Sequence, residues 1–330
     1  MRKSDYYSEI LHSSYRELLI GFIEQRKALG YKFDTQILML IKFDDFAEKF
    51  TDGISDYLNE DLVVNWVEED TVFLEQKRRR GLLIRQFGEY MLENGKSAYL
   101  YPKRKHKSPA KYIPYIFTHE QISSIFKYAD EDSYTHPNVA SRVDTAIILR
   151  MLYGCGLRIS EALNLKMNDV DLEKGLLHIR KSKFQKDKIV PMSVSLCETC
   201  LNYVSMRSYE NMHADLYFFS PKNNRRYSAQ TIYDRFRDII FYIGIPHRGK
   251  GKGPRLHDFR HTFAVHSLKQ LADKGEDLYT MLPILSEYMG HSSVGATQYY
   301  LKLTAEVYPD VINMMEEKFG DIYPEVLSDE

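Results

Sequence analysis

The sequence predicts a mainly α-helical protein with a small antiparallel β-sheet, an α+β arrangement built as two domains. Three observations predict it. Apolar residues recur at helical spacing through most of the chain, as in Ile10, Tyr15, Leu18, Leu19, Phe22 and Ile23. Strand-like texture is confined to residues 168–192, where short apolar runs alternate with turn signals. Between two helical regions lies Tyr101-Pro-Lys-Arg-Lys-His-Lys-Ser-Pro, whose prolines disfavour helix and whose lysines disfavour burial. At 330 residues the chain is long enough for two cores.

Taken in order, residues 5–29 read as a helix ended by Gly30, and residues 35–50 as a second, with Ile37, Leu40, Ile41, Phe43 and Phe46 on its apolar face. Asn59 has the chemistry to cap a third helix carrying Leu62, Val63, Trp66 and Val67. A fourth, capped by Thr71 and running to about Glu93, combines an apolar face with Lys77, Arg78, Arg79, Arg80 and Arg85. These elements make a helical domain over residues 1–100. The basic stretch reads as an extended linker, residues 101–116, carrying Lys103, Arg104, Lys105 and Lys107. The second domain, 117–330, opens on Thr118 and Gln121, spaced as a capping box. A hydrophobic helix over Arg142–Tyr153 ends at Gly154-Cys-Gly156, and a short helix follows Arg158. Runs at 169–172, 176–180 and 188–192 make the sheet, with Lys183 near a hairpin turn. Ser228 caps a helix bearing Ile232, Phe236 and Ile239, and further helices cover 282–289 and the region of Tyr300.

Composition narrows the class. The chain is 44% hydrophobic and 28% charged, the balance of a soluble globular protein. No apolar run reaches the roughly 18 residues that span a bilayer, and the N-terminus has no apolar signal core, so a cytoplasmic protein without a membrane partner is expected. Three cysteines, an odd number, argue against a disulfide framework. Net charge is −1, but it is segregated: residues 77–111 hold 11 Lys/Arg against two Glu, and residues 222–260 hold 10 Lys/Arg against three Asp. Such stretches fit a local footprint for a polyanion, with Lys77, Arg78, Arg79, Arg80, Arg85 and the linker cations as candidate DNA-backbone contacts. Solvated helix faces account for charge runs equally well.

The chemistry-bearing residues concentrate at 255–300. His257 and Arg260 are three apart and share a helix face near its N-terminus, where free N–H groups attract phosphate. Gly290-His291-Ser-Ser follows an apolar helix, and Tyr300 lies nine residues after His291. Arginine clamps phosphate oxygens, histidine moves a proton, and tyrosine can be a covalent nucleophile. Each residue alone has a bland reading: a capping arginine at 158, a hairpin lysine at 183, a packed tyrosine among 25.

Together the pieces resemble the tyrosine recombinases, or phage integrase family. The resemblance rests on Gly154-Cys-Gly-Leu-Arg158-Ile-Ser-Glu161, Lys183 ahead of Lys186-Asp-Lys-Ile-Val-Pro-Met, His257-Asp-Phe-Arg260-His-Thr-Phe, Gly290-His291-Ser-Ser and Tyr300. It covers the second domain, and extends to the first only as architecture, a helical core-binding domain. It implies a DNA phosphodiester as substrate and Tyr300 as the nucleophile that forms a 3′-phosphotyrosine link. It further implies Arg158 and Arg260 as the oxyanion clamp, His257 as proton acceptor, His291 as hydrogen-bond donor and Lys183 as proton donor to the leaving 5′ oxygen. Glu161 could orient Arg158 or His257. Phe184 stands where glycine is common after the lysine, and Tyr299 is a neighbouring phenol, pointing about 100° away on a helix.

This chemistry needs no cofactor and no metal. The expected partners are double-stranded DNA and further copies of the chain, with self-association into a DNA-bound tetramer through a C-terminal amphipathic helix over Asp310–Phe319, and accessory DNA-bending or partner recombinase proteins. Integration, excision or transposition of a mobile element is the expected role, with chromosome or plasmid dimer resolution as the alternative. A relative that binds DNA without cleaving it is a rival of another class. So is a metallohydrolase built on His257, His261, His266 and His291, whose spacing lacks the intervening glutamate of a zinc-protease helix.

Overall fold

A computed structural model describes residues 3–50, 57–69, 71–103, 112–131, 139–180, 187–206, 215–221, 225–247, 249, 253–290, 295–311 and 313–314. The chain divides into two compact units, Met1–Tyr112 and Ile113–Glu330. It is mostly helical with one three-stranded antiparallel sheet, the fold class its periodicity predicts.

The first unit is built from α1 (Lys3–Ile10), α2 (Arg16–Ala28), α3 (Asp34–Phe50), α4 (Glu60–Glu68) and α5 (Leu74–Glu93). Two two-residue strands, β1 (Tyr57–Leu58) and β2 (Ser97–Ala98), pair in parallel. The single helix expected over 5–29 is two. The break is held by Asp44 of α3, fully buried, whose carboxylate accepts from the backbone N–H of His12 (2.6 Å) and from the hydroxyl of Ser13 (2.5 Å). A buried carboxylate must be hydrogen-bonded, and the free amides of a chain break satisfy it. Sequence periodicity cannot register such a long-range cap. Asn59 caps α4 as its chemistry predicts, accepting from Leu62 N–H at 2.7 Å. Thr71 does not cap α5, which starts at Leu74 after Phe73 with no side-chain cap. The core is aromatic: Phe43 meets Trp66 edge-on at 5.1 Å, and Phe22 and Phe87 pack alongside.

The second unit begins with α6 (His119–Glu131), whose capping box forms as spaced: Gln121 N–H donates to Thr118 Oγ1 and Thr118 N–H to Gln121 Oε1. Next come α7 (Val139–Gly154), α8 (Ile159–Leu163) and a short 3-10 turn (Met167–Asp169). The sheet follows: β3 (Val170–Asp171), β4 (Leu176–Ile179) and β5 (Lys188–Pro191), ordered β3-β4-β5 and antiparallel throughout. Then come α9 (Val194–Met206), α10 (Ala229–Tyr242, capped by Ser228), α11 (Leu256–Asp273), α12 (Leu278–Met289) and α13 (Gly295–Val307). The helix α7 is central, packed against α6, α8, α9 and α11. Its fully buried Asp144 accepts from the hydroxyls of Tyr203 and Tyr227, each at 2.6 Å, which ties α9 and the segment before α10 to it. Beside it, α11 is flanked by α12 and α13, with Val265, Leu268, Leu282, Leu285, Tyr300 and Leu303 in one apolar cluster.

Two expected segments meet anchors. Tyr101, the first residue of the expected linker, is buried in the first unit, its hydroxyl on Glu68 and its carbonyl accepting from Arg85. Val311, on the apolar face of the expected C-terminal helix, is buried in the α11–α13 cluster, and Asp310 pairs with Lys269 at 3.1 Å. Residues 315–330 lie outside the described residues. The thiols of Cys155 and Cys200 are buried and pushed up to about 12 by that burial, which keeps both protonated at neutral pH.

Candidate active site

The site is assembled where the start of α8, the start of α11 and the end of α12 converge. Gly154-Cys-Gly156 ends α7, with Gly156 in the left-handed region at φ 58°. The turn delivers Arg158 as the residue preceding α8. Its backbone N–H donates to Glu161 Oε2 (2.9 Å), its Nη1 to Glu161 Oε1 (2.7 Å) and its Nη2 to the carbonyl of Gly290 (3.3 Å). Arg260, one turn into α11, is 1% exposed. Its Nη1 donates to the carbonyl of Gly156 (2.5 Å), and its Nη2 to the carbonyl of Met289. The two guanidiniums are thereby locked by backbone from the Gly156 turn and from the end of α12. Gly290, at φ 63°, closes α12 and turns the chain back toward them. Such locking removes rotamer freedom in advance of any ligand.

Glu161 is the hub of this arrangement. It is buried, bonded to Arg158, 3.4 Å from the Lys188 ammonium and 4.0 Å from Arg260 Nη1. Burial raises its pKa, but Lys188, the Arg158 N–H and the Arg158 guanidinium outweigh it, so the carboxyl titrates below its ordinary value. Glu161, expected from sequence to orient Arg158 or His257, is the only buried acid among the described residues paired to both arginines. Arg260 is pushed down to about 10 by burial and by Arg158, and stays charged at neutral pH.

His257 sits on the first turn of α11 at the solvent-facing side, its ring edge-on to His261 at 4.7 Å. Desolvation of the ring, then Arg260 and Arg158, push its pKa down to about 4. It is therefore neutral at neutral pH and able to accept a proton. Tyr300 of α13 is 3% exposed, with its ring centroid 5.5 Å from that of His261. Burial holds the Tyr300 pKa above its ordinary value, and Arg260 and Arg158 offset only part of the rise. Tyr299 is more open, and its ring lies 6.4 Å from that of Tyr300.

The structure thus brings together Arg158, His257, Arg260 and Tyr300. Lys183 and His291 lie outside the described residues. Sequence reasoning missed Lys188, whose Nζ is buried behind Glu161. The signal was present: Val190 faces the core, and a strand's period of two puts Lys188 on that same face. His266, further along α11, is placed elsewhere. Its Nδ1 bonds the Tyr153 hydroxyl (2.9 Å), and its ring lies over His119 at 4.1 Å.

The cations expected on DNA divide into two groups. Lys77 donates to the Glu68 carbonyl (2.7 Å), and Arg80 to the Trp66 carbonyl (2.6 Å) and Glu69 (2.8 Å). Arg85 donates to the Tyr101 carbonyl (3.0 Å). These three brace the first unit. Arg78 and Arg79 are exposed and share Glu75, and Lys103 is exposed. Arg104, Lys105 and Lys107 lie outside the described residues.

The phage integrase family model matches residues 115–306, more than half of the chain. A protein of Sinorhizobium fredii named as an integrase/recombinase, y4rB, is 29% identical over 314 residues, covering 94% of this chain and 99% of its own. Tyrosine recombinase XerA of Pyrococcus furiosus is 28% identical over 216 residues, 64% of this chain and 66% of its own. Among solved structures, XerH site-specific recombinase bound to a palindromic difH substrate has the same fold, with a TM-score of 0.61 at 20% identity over 90% of this chain and 83% of that one. The Tn1549 transposon integrase in complex with transposon right end DNA gives a TM-score of 0.59 at 16% identity, over 92% and 99%.

Proposed function

This chain belongs to the phage integrase family, and from that premise we propose that it cleaves and rejoins duplex DNA through a covalent 3′-phosphotyrosine intermediate on Tyr300. The observation that carries the reading is the preset pair of guanidiniums. Arg158 and Arg260 are fixed by one buried carboxylate and three backbone carbonyls, with Tyr300 inside their field. Donors held in place before charge develops stabilise a transition state without reorganising.

In this mechanism the phosphate's non-bridging oxygens lie on the two arginines. The phenol of Tyr300 passes its proton to neutral His257 as its oxygen bonds phosphorus. The P–O5′ bond breaks, and the departing 5′ oxygen takes a proton from Lys183. His291 donates a hydrogen bond to the phosphate. Rejoining runs the same steps backward, with a 5′-hydroxyl attacking the phosphotyrosine. A phenol of pKa about 10 is roughly 0.1% ionised at pH 7, so the guanidinium field and the base supply what the free side chain lacks. The biological substrate is proposed to be the ends of a mobile element. Chromosome or plasmid dimer resolution is the alternative reading, since the same catalytic residues serve both. Self-association on DNA belongs to the same reading, through the expected C-terminal helix over Asp310–Phe319.

The test is a covalent trap. Protein is mixed with nicked duplexes drawn from the DNA flanking its own gene, with chelator present, and an SDS-stable protein–DNA adduct is sought. The expected outcome is an adduct abolished in Tyr300→Phe and retained in Tyr299→Phe. An adduct that follows Tyr299 would overturn the nucleophile. A DNA footprint without any adduct would favour a binding protein.

A further inference from the structure

One buried cation beside the site has no part in the mechanism above. Lys188 opens β5, and its side chain turns inward. Its ammonium is buried and faces Glu161 Oε2 at 3.4 Å. A buried ammonium is costly unless something requires it. The partner strand offers it nothing, because the register puts Ile179 opposite. The groups that face it come from three other elements: Glu161 on α8 with Arg158 before it, Arg260 on α11, and the neutral thiol of Cys155 at the end of α7. Three cations thus surround one carboxylate, for a net charge of +2 with Lys188 protonated and +1 without it.

We propose that Lys188 is a positioning residue of strand cleavage: its ammonium, held behind Glu161, fixes the carboxylate that Arg158 shares and keeps the site at +2 beneath the scissile phosphate. The inference rests on the proposed cleavage function. Without Lys188, Glu161 answers to the arginines alone and cancels half of their charge. With Lys188 in place, Glu161 is shared, and more of the guanidinium field is left for the phosphate and for the Tyr300 phenolate. The role differs from that of Lys183, which is assigned to the leaving oxygen.

The lysine's environment gives the proposal a pH signature. Burial and the two arginines lower the Lys188 pKa, and Glu161 only partly restores it. The ammonium therefore loses its proton at a lower pH than an ordinary lysine. Cleavage by the native protein should rise with pH as Tyr300 gives up its proton more readily, then fall as Lys188 is neutralised.

The experiment is single-turnover adduct formation across the pH range by the native chain, Lys188→Met and Lys188→Arg, each checked for cooperative unfolding. Lys188→Met should slow the adduct rate about tenfold at neutral pH and move the alkaline fall to higher pH, where only the proton donor to the leaving oxygen is left to titrate. Lys188→Arg, which cannot be deprotonated, should restore the rate and show the same later fall as Lys188→Met. A Lys188→Met profile superimposable on the native one would overturn the proposal. So would Lys188→Arg failing as badly as Lys188→Met while the native-type alkaline fall persists. A second measurement needs neither DNA nor a folded Met variant: NMR titration of 13C-labelled lysines, with Lys188 assigned by its absence in Lys188→Arg. A resonance titrating below the other lysines, and lower still in Glu161→Gln, is expected. A Lys188 resonance whose titration does not move in Glu161→Gln overturns the proposal. Failure of the cleavage reading itself is seen separately, as no Tyr300-dependent adduct from the native chain.

Discussion

His266 shows how much a side chain's meaning depends on where its helix points it. It sits nine residues after His257 on α11, and nine steps of about 100° put the two on opposite faces. One opens toward the guanidiniums, while the other is packed between Tyr153 and His119. Burial, then His119, push the His266 pKa from 6.5 down to about 4. The unfolded chain binds this proton near 6.5 and the folded chain only near 4, so protons favour unfolding between those values. Stability from this group is complete above about pH 6.5 and is lost as pH falls toward 4. The loss should be about 2–3 kcal/mol. Urea unfolding at pH 7.5 and 4.5 should show a smaller acid loss in His266→Gln than in the native protein, by about 2 kcal/mol; an equal loss would refute the assignment. Nothing in the sequence separates His266 from His257, because the difference lies in which neighbours the helix meets. Sequence set Glu161 beside Arg158, and the strand period put Lys188 on the inner face, but only the fold brings the two together as a buried pair.

At the scale of elements, the legible parts were those whose cause is local. Asn59, Thr118 with Gln121, and Ser228 cap the helices that their chemistry announces. The break in the first helix was illegible because its cause, Asp44, lies more than 30 residues away. The two glycine turns at the site lie between these extremes. Sequence marks Gly156 and Gly290 as breaks, but not that their carbonyls both end on arginines. Their sensitivity to substitution should differ. Among the described residues, a Cβ at Gly290 meets nothing closer than Arg158 Nη1 at 4.0 Å, so Gly290→Ala should carry mainly the left-handed backbone cost, about 1–2 kcal/mol. A Cβ at Gly156 would come within 2.5 Å of the Phe263 ring, adding overpacking to the same strain. Gly156→Ala should therefore cost about 2–5 kcal/mol and shift Arg260 as well. Urea unfolding of the two variants checks the order, and an equal or reversed cost would mean that Phe263 moves aside freely.

Over the whole molecule, the formal charge of −1 conceals a division of labour among the cations. The basic stretch at 77–111 reads from sequence as one footprint, yet Lys77, Arg80 and Arg85 spend their charge on carbonyls and carboxylates of their own unit. Sequence composition counts charges, whereas a duplex responds only to those left facing solvent. Among the described residues of that stretch, Arg78, Arg79 and Lys103 are exposed, and Glu75 already binds the two arginines, its carboxyl held at about 2. A phosphodiester can replace Glu75, because an exposed ion pair is worth little. The two groups should then separate in a salt titration. Each phosphate contact contributes about 0.9 to the slope of log affinity against log salt. Replacing Arg78, Arg79 and Lys103 together by Gln should lower that slope by about 2–3 and leave unfolding by urea unchanged. Replacing Lys77, Arg80 and Arg85 should instead strand the carbonyls of Glu68, Trp66 and Tyr101 and lower stability, with little change in slope. Equal slope changes from both triple variants would mean that the braced cations swing out to meet DNA. No change from either would move the electrostatic footprint off this helix altogether, onto the second basic stretch at 222–260.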